Sequence, residues 1–199
     1  MYKNTFLHMD YSELSDNEIV EKTLSEKEAF RVLVERYELP LDRYLIRLGV
    51  RNKEDRVDLL QDIFIKIYRN LNGFDMDLSF SSWAYRIAHN EAVSWFRKRS
   101  VRPEGHMLND GEELLVGFKA SDEDGADMEF DKKLQGEDVL GALDSLDQRY
   151  KDVIILRYFE HKEYKEISDI LKIPIGTVGT LVSRAKKKLG ESLKKKDYE

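Results

Sequence analysis

The chain has no cysteine among its 199 residues and only three prolines. Without cysteine it has no disulfide and no thiolate metal site, and a reducing cytoplasm is its natural setting. No apolar run approaches the roughly 20 residues that a membrane-spanning helix needs. The N-terminal residues lack the basic start and apolar core of a secretory signal peptide. The sequence therefore predicts a cytoplasmic protein.

Strand patterns are also missing. No segment alternates convincingly between apolar and polar residues, whereas apolar residues recur at helical spacing through most of the chain. We therefore expect an all-α fold made of two small helical domains joined by a flexible acidic linker. The expected divisions are a mobile N-terminal tail over 1–15, a first domain over 16–100, the linker over 101–135 and a second domain over 136–199.

Positive charge is scarce and local. The formal net charge is −6, yet basic residues cluster at 97–102 and 184–196. A protein that binds DNA unaided through bulk electrostatics is usually basic overall. This distribution favours a protein that meets DNA with the help of a partner.

The first domain shows several helix signals. Ser15 and Asp16 are candidate N-caps, and Ser25 followed by Glu28 has the spacing of a capping box for a second helix. Pro40 is expected to kink or end that helix, because proline lacks an N–H and crowds the preceding turn.

Two longer amphipathic helices follow, over about 54–71 and about 79–98. The second ends in a basic run. The residues expected to face inward are Val57, Leu60, Phe64, Ile67 and Leu71 in one helix, and Phe80, Trp83, Ala84, Ile87, Ala88 and Ala92 in the other.

Acidic residues dominate the segment from 101 to 132. A segment of this composition cannot bury enough apolar surface to offset the entropy of ordering it, which predicts a linker. Its ten acids are Glu104, Asp110, Glu112, Glu113, Asp122, Glu123, Asp124, Asp127, Glu129 and Asp131.

Residues 164–188 predict two helices joined by a tight turn. Lys172-Ile173-Pro174 interrupts the helical spacing, and the second helix restarts at about Ile175. Its inward face carries Val178, Leu181, Val182, Ala185 and Leu189, and its outward face carries Thr177, Thr180, Ser183, Arg184, Lys187 and Lys188. This pattern is typical of a helix-turn-helix whose second helix enters a DNA major groove. The alternative is an ordinary helical hairpin with a solvated basic face.

Three stretches together resemble the bacterial sigma factors of the extracytoplasmic-function type, within the sigma-70 family. They are DLLQDIFIKIYRNLNGFD (58–75), FSSWAYRIAHNEAVSWFRKR (80–99) and ALDSLDQRYKDVIILRYFEHKEYKEISDILKIPIGTVGT (142–180). The resemblance implies an initiation factor that binds core RNA polymerase at its clamp helices and flap. It also implies that a region 2-like domain opens the promoter −10 element and a region 4-like domain reads the −35 element. Anti-sigma partners are common in the family.

The resemblance assigns roles in the first domain by position. Asp58, Gln61 and Asp62 match positions that face the polymerase clamp, although without the resemblance they are simply a solvated helix face. Phe74 and Asn90 match a pocket for a base flipped out of the −10 strand, where an aromatic ring stacks and an amide reads a base edge. Phe74 is equally a loop residue that plugs the core. The candidates for phosphate contacts around the opening duplex are Arg97, Lys98, Arg99 and Arg102.

The second domain departs from the family pattern in its recognition helix. The family usually has a basic residue, a small hydroxyl residue and a second basic residue after the valine, and here these are Gly179, Thr180 and Leu181. The residues left to contact DNA are Thr177, Thr180, Ser183, Arg184 and Lys187. We therefore expect weaker phosphate anchoring and a promoter choice that depends more on the −10 element.

Catalysis has little support in the sequence. The glycines in GTVGT at 176–180 follow a helix and a proline, without the strand and lysine of a phosphate-binding loop. His8, His89, His106 and His161 show no metal-ligand spacing, so neither a metal nor a cofactor is expected. The rival hypotheses are a dimeric helix-turn-helix regulator that binds duplex DNA by itself, and a helical adaptor that binds polymerase without reading DNA.

Overall fold

The computed structural model describes residue 11, residues 13–100 and residues 139–196. Across these ranges the chain is helical and has no strand, as the all-α prediction requires. The linker over 101–135, most of the tail over 1–15, His8, His106 and Arg102 lie outside these ranges. The N-terminal half consists of α1 (Asp16–Ser25), α2 (Phe30–Leu48), α3 (Lys53–Asn70) and α4 (Phe80–Ser100), with single 3-10 turns at Lys27–Ala29 and Leu71–Gly73.

The C-terminal half begins with two short helices, α5 (Val139–Asp144) and α6 (Gln148–Ile154). A π-helical segment, Ile155–Phe159, continues directly from α6. It is followed by α7 (Tyr164–Leu171) and α8 (Ile175–Lys196), which form the helix-turn-helix predicted from the sequence.

Side chains and backbone geometry fix where the helices begin and end. The Ser15 hydroxyl and the Glu18 carboxylate form a capping box at the start of α1. At the end of α2, Gly49 has φ of 117°, a conformation that glycine adopts without steric cost. Lys172 closes α7 in the left-handed region with φ of 57°. The start of α1 at 16 and the break at 172 agree with the boundaries predicted from the sequence.

The capping box predicted at Ser25 and Glu28 is wrong. Ser25 is the last residue of α1, and its hydroxyl donates to the Lys22 carbonyl at 3.0 Å. Glu26 N–H bonds to the same carbonyl at 2.7 Å. The hydroxyl therefore completes the end of one helix and is not available to start the next, and α2 begins at Phe30 without a side-chain cap.

Pro40 lies inside α2 and does not end it. A proline in a helix interior costs about 3 kcal/mol. Leu41, Tyr44 and Leu45 follow it in the same helix and are completely buried. Burying one such side chain stabilises the fold by roughly 1.5–3 kcal/mol, so tertiary packing outweighs the local cost.

A single apolar core joins the helices of both halves. Most residues predicted to face inward on α4 and α8 are buried in this core. On α3, the prediction that Val57 faces inward is wrong, because its side chain is 55% exposed. The buried stripe of α3 runs through Leu59, Leu60, Ile63 and Ile67, and Val57 falls at its edge.

The two halves also pack against each other, chiefly where α4 lies against α7. The predicted division into two domains gave no indication of this contact. It determines which surfaces of the helix-turn-helix half and of α4 reach solvent.

We predict that Gly49→Ala destabilises the protein by about 1–2 kcal/mol, because an L-residue is strained at positive φ. A Cβ at Gly49 would meet Lys151 Nζ and a Phe96 ring carbon at 3.6 Å, which is ordinary contact, so the cost is a backbone cost. Gly73→Ala is the matched control, since its Cβ would meet nothing within 4 Å. Urea denaturation measures both free energies of unfolding, and equal effects of the two substitutions would contradict the prediction.

Candidate nucleic-acid and polymerase interface

The turn before α8 is held by hydrogen bonds that set the direction of that helix. Ser168 donates its hydroxyl to the Ile173 carbonyl at 2.6 Å, and the N–H groups of Thr177 and Val178 bond to the Pro174 carbonyl at 2.9 and 3.1 Å. Proline fits here because the first residues of a helix need no intrahelical N–H partner. The turn therefore presents the first residues of α8 at the surface.

The outward face of α8 carries the predicted DNA-contact residues. Ser183 and Lys187 are exposed, and Thr177, Thr180 and Arg184 are half-buried. The Thr180 hydroxyl donates to the Gly176 carbonyl at 3.0 Å, so it remains able to accept a hydrogen bond. All five residues predicted to contact DNA thus lie along one helix within reach of solvent.

The two residues that depart from the family pattern are buried. Leu181 is 7% exposed and belongs to the apolar core, and Gly179 is also buried. The leucine is thus not an apolar group presented on the outward face of the helix. The Leu181 side chain therefore packs inside the helix-turn-helix and offers no polar group to DNA.

Phe74 lies in a cluster of aromatic rings and is 7% exposed. Its ring centroid is 5.8 Å from that of Phe80 and 5.1 Å from that of Trp83. Asn90, the second residue predicted to contact the flipped base, is exposed on α4. In this arrangement Asn90 is open to a ligand, whereas stacking on Phe74 requires its ring to be uncovered first.

Arg97, Lys98 and Arg99 are exposed at the C-terminal end of α4. Arg99 Nη1 lies 2.8 Å from Asp55 Oδ2 on α3, and its guanidinium lies 5.0 Å from the centre of the Trp95 ring. A surface ion pair of this kind contributes little to stability, so a phosphate can replace the carboxylate at small cost.

Asp58, Gln61 and Asp62 are all exposed on α3. Gln61 also lines an open groove of about 380 Å³, together with Phe30, Phe64, Ile65, Tyr68 and Arg69. Ile65 and Tyr68 are 39% and 40% exposed, so the groove presents apolar surface to solvent. The groove was not predicted from the sequence, although Ile65 and Tyr68 both fall outside the predicted inward stripe of α3.

Polar side chains connect α4 with the C-terminal half. Tyr85 donates to Glu160 Oε2 at 2.6 Å, and Arg47 of α2 reaches Glu160 Oε1 at 2.9 Å. Ser82 donates to Glu166 Oε1 at 3.0 Å, and Arg86 pairs with Asp169. Burial raises the pKa of the Tyr85 phenol, and the charge of Glu160 raises it further.

Lys162 and Ser81 extend this network. The ammonium of Lys162 donates to the Ser81 hydroxyl at 2.5 Å and lies 4.7 Å from the centre of the Tyr85 ring. Burial lowers the pKa of Lys162, although Glu166 and Glu160 oppose the shift.

A second group of buried polar residues lies alongside. Tyr44 OH and His89 Nδ1 are 3.0 Å apart, and His89 Nε2 is 3.8 Å from Asp152, whose carboxyl pKa is raised by burial.

Comparison of the sequence with protein-family models and with known proteins identifies the family. The model for sigma-70 region 2 matches residues 33–102, and the model for sigma-70 region 4 matches residues 136–189. The ECF RNA polymerase sigma-E factor of Haemophilus influenzae is 33% identical over 177 residues, which cover 87% of this chain and 93% of that protein. This chain belongs to the ECF sigma factors of the sigma-70 family. It is thus a factor for promoter-specific initiation of transcription.

Other relatives agree with this assignment. The ECF RNA polymerase sigma factor SigW of Bacillus subtilis is 29% identical over 178 residues, covering 85% of this sigma factor and 91% of SigW. Two solved structures share the fold. CnrH in complex with the cytosolic domain of CnrY gives a TM-score of 0.65 at 23% identity, covering 90% of this chain and 97% of CnrH. The sigma factor RpoE of Bartonella quintana, in complex with the anti-sigma factor NepR, gives 0.62 at 24% identity, covering 83% and 96%.

No helix in the described part of this sigma factor is long and apolar enough to cross a membrane. No group of three or more histidine or acidic side chains within the same ranges is placed to hold a metal ion.

We predict that the Asp169 carboxyl titrates below its ordinary pKa. Burial raises its pKa, but hydrogen bonds and charges from Lys172 and Arg86 outweigh burial and lower it. Because the folded-state pKa is depressed, the stabilisation from this carboxylate is present above the unfolded-state pKa of about 3.9 and is lost as pH falls through the folded-state value.

Carbon-13 NMR of the aspartate carboxyls measures this titration. Arg86→Gln should move the Asp169 midpoint upward, since it removes a charge from the opposite half of the molecule. Arg31→Gln, a change to an exposed residue of α2, should leave the midpoint in place. If Arg86→Gln leaves the titration midpoint of Asp169 unchanged, the result would contradict the contact between α4 and α7.

Proposed function

We propose that this sigma factor binds core RNA polymerase through α3, reads the −10 element with α3–α4 and reads the −35 element with α8. The observation that supports this most is the order of the two matched regions, region 2 before region 4, on a chain whose α7 and α8 form a helix-turn-helix. The proposed divisions are a region 2-like domain over 16–100, a linker over 101–135 and a region 4-like domain over 136–199.

The polymerase surface on α3 combines charge with an apolar groove. Asp58 and Asp62 offer carboxylates to basic side chains of the clamp helices, and Gln61 offers an amide at the edge of the groove. Ile65 and Tyr68 supply apolar area that a side chain of the partner covers on docking. An apolar centre with a polar rim is the usual anatomy of a specific protein interface.

The −10 surface lies on and before α4. In this proposal Asn90 reads a base edge, and Phe74 stacks on a flipped base once its ring is uncovered. Phosphate contacts fall to Arg97, Lys98 and Arg99 at the end of the helix, and to Arg102 beyond the described range. These residues combine readout of bases with positioning on the backbone, as strand-opening requires.

The −35 surface is the outward face of α8, with Thr177, Thr180, Ser183, Arg184 and Lys187. Only Arg184 and Lys187 among these carry charge, and the position of Leu181 is buried. Few charged contacts imply a weak salt dependence and a weak contribution to affinity. We infer that the −10 element contributes more to promoter choice than the −35 element does.

We further infer that this sigma factor has no catalytic site of its own, acts in the cytoplasm and is held by an anti-sigma partner. The similar RpoE structure contains the anti-sigma factor NepR, which supports a partner of this kind. Such a partner would compete with polymerase for the exposed face of α3.

Transcription in vitro tests the proposed function directly. Core bacterial RNA polymerase is supplied with fragmented source genomic DNA, with and without this protein, and the 5′ ends of the transcripts are sequenced. Defined starts that require the protein and share upstream elements are the expected result. Polymerase binding without starts would support an adaptor. Duplex binding by the protein alone, with no effect on polymerase, would support a regulator.

At such promoters we predict that Asn90→Ala lowers transcription more than Thr180→Ala with Arg184→Ala. A bidentate base contact is worth about 1–3 kcal/mol, or roughly five- to 150-fold. Arg31→Ala, a change to an exposed residue of α2 paired with Glu35, is the control. If the α8 double variant abolishes the starts while Asn90→Ala leaves them intact, the −35 element dominates and the inference is wrong.

We also predict that Ile65→Asp weakens binding to core polymerase by about tenfold or more, because docking would have to remove from water the charge that it places in the apolar groove. Leu39→Asp is the matched control, since Leu39 is an exposed apolar residue of α2 outside the groove. Both sites are exposed, so thermal stability should change little. Anisotropy of the labelled protein titrated with core polymerase measures the two affinities. Equal loss in both variants would exclude the groove as the docking site.

A further inference from the structure

The segment between α3 and α4 runs between two aromatic residues of the core. Phe74 is 7% exposed and Phe80 is 2% exposed, and their ring centroids are 5.8 Å apart. Residues 75–79, which we call the α3–α4 loop, are all exposed. Both ends of the loop are therefore fixed in the core, and the contacts of the residues between them determine its course.

The side chain of Asn17, a half-buried residue of α1, holds this loop. Its Nδ2 donates to the carbonyls of Met76 and Leu78 at 2.9 and 3.0 Å. Its Oδ1 accepts from the N–H of Phe80 at 3.3 Å, one of the first N–H groups of α4, which have no intrahelical partner. The amide thus uses both of its donor hydrogens and its oxygen on residues 59 to 63 positions away in the chain.

The first turn of α1 is itself held in place, which fixes the position of Asn17. Ser15 and Glu18 form the capping box that starts the helix. Asp16 Oδ1 lies 2.7 Å from Arg36 Nη1 on α2. Asn17 therefore extends from a turn that is tied both to its own backbone and to the neighbouring helix.

Hydrogen bonds inside the α3–α4 loop shape its turn but do not fix the loop to another helix. The N–H of Leu78 donates to the Asp75 carbonyl at 3.0 Å, and the N–H of Asp77 donates to Asp75 Oδ1 at 3.0 Å. The side chains of Met76 and Leu78 are 42% and 40% exposed, so little packing opposes a shift of the loop. The bonds to Asn17 therefore determine where the loop lies relative to Phe74 and α4.

We propose that Asn17 is a positioning residue for readout of the −10 element, and that it acts through the backbone of the α3–α4 loop without touching DNA. This inference rests on the proposed function, in which Phe74 stacks on a flipped base beside this loop. A binding site discriminates only if its walls are held within about 0.5 Å of one geometry, because a wall that moves adapts to the wrong ligand as well. A residue of α1, outside the proposed DNA surfaces, thereby contributes to promoter choice.

Transcription from templates with a randomised −10 element tests this role. The promoters are those found by sequencing 5′ ends, and core polymerase is saturated with each variant. Asn17→Leu nearly keeps the size of the side chain, removes all three bonds and adds no charge, and leucine favours a helix more than asparagine does. Asn70→Leu is the matched control, because Asn70 is an exposed residue whose amide donates to the Lys66 carbonyl of its own helix at 2.7 Å.

We expect Asn17→Leu to narrow the ratio between preferred and other bases by about fivefold at one or more −10 positions, which is the lower end of what one base contact contributes. Asn70→Leu should keep the ratios of the unaltered chain. A loss of stability alone lowers transcription from all templates by the same factor and leaves the ratios unchanged. Unchanged ratios in Asn17→Leu would therefore overturn the proposal, as would equal narrowing in both variants.

Hydrogen exchange followed by mass spectrometry measures the loop itself in the free full-length protein. Amides of residues 74–80 should exchange about tenfold faster in Asn17→Leu and at the original rate in Asn70→Leu. Unchanged exchange in Asn17→Leu would show that the amide does not hold the loop, and the proposal would fail without reference to any promoter. Protein-dependent starts with unaltered base ratios would reject this inference alone, whereas absence of such starts would reject the proposed function and the role of Asn17 with it.

Discussion

Glu160 carries a negative charge into the contact between the two halves, where two side chains of the other half bind it. Its carboxylate is almost completely buried and is held by Arg47 from α2 and Tyr85 from α4. Removing one partner from a buried pair is costly, because the remaining charge is left in a medium of low polarity. The relative position of the two halves therefore depends on this contact, and the other polar pairs between α4 and α7 form around it. The contact also determines which surfaces of each half are exposed to solvent.

The helix-turn-helix could be predicted almost completely from the sequence. Val178, Leu181, Val182, Ala185 and Leu189 repeat at helical spacing, and all five are buried. Pro174 and the left-handed Lys172 separate the two helices where the pattern breaks. Such signals are local, because they follow from the period of a helix and from the backbone limits of single residues.

The features that escaped prediction are those that depend on distant residues. Tyr85 and Glu160 are 75 positions apart, and neither residue differs in pattern from an ordinary exposed polar group. The apolar groove required Phe30 of α2 to meet Tyr68 of α3, with ring centroids 5.0 Å apart. Ser25 was misassigned because its hydroxyl donates to a carbonyl of α1, the helix that precedes it, and does not cap the next helix. The residues assigned to contact DNA and polymerase remain predictions, because only a structure or binding measurement with those ligands can show the contacts.

The π-helical segment Ile155–Phe159 has a consequence for how this sigma factor can diverge. Such a segment holds one residue more than an α-helical turn, so it rotates everything after it by about 100° relative to α6. Glu160 follows directly and points at α2 and α4 because of that offset. Deleting one residue there would restore a regular turn and rotate Glu160, α7 and α8 relative to α6, so Glu160 would turn away from α2 and α4. A one-codon deletion could thus uncouple the two halves of a descendant without changing any residue of α3 or α8.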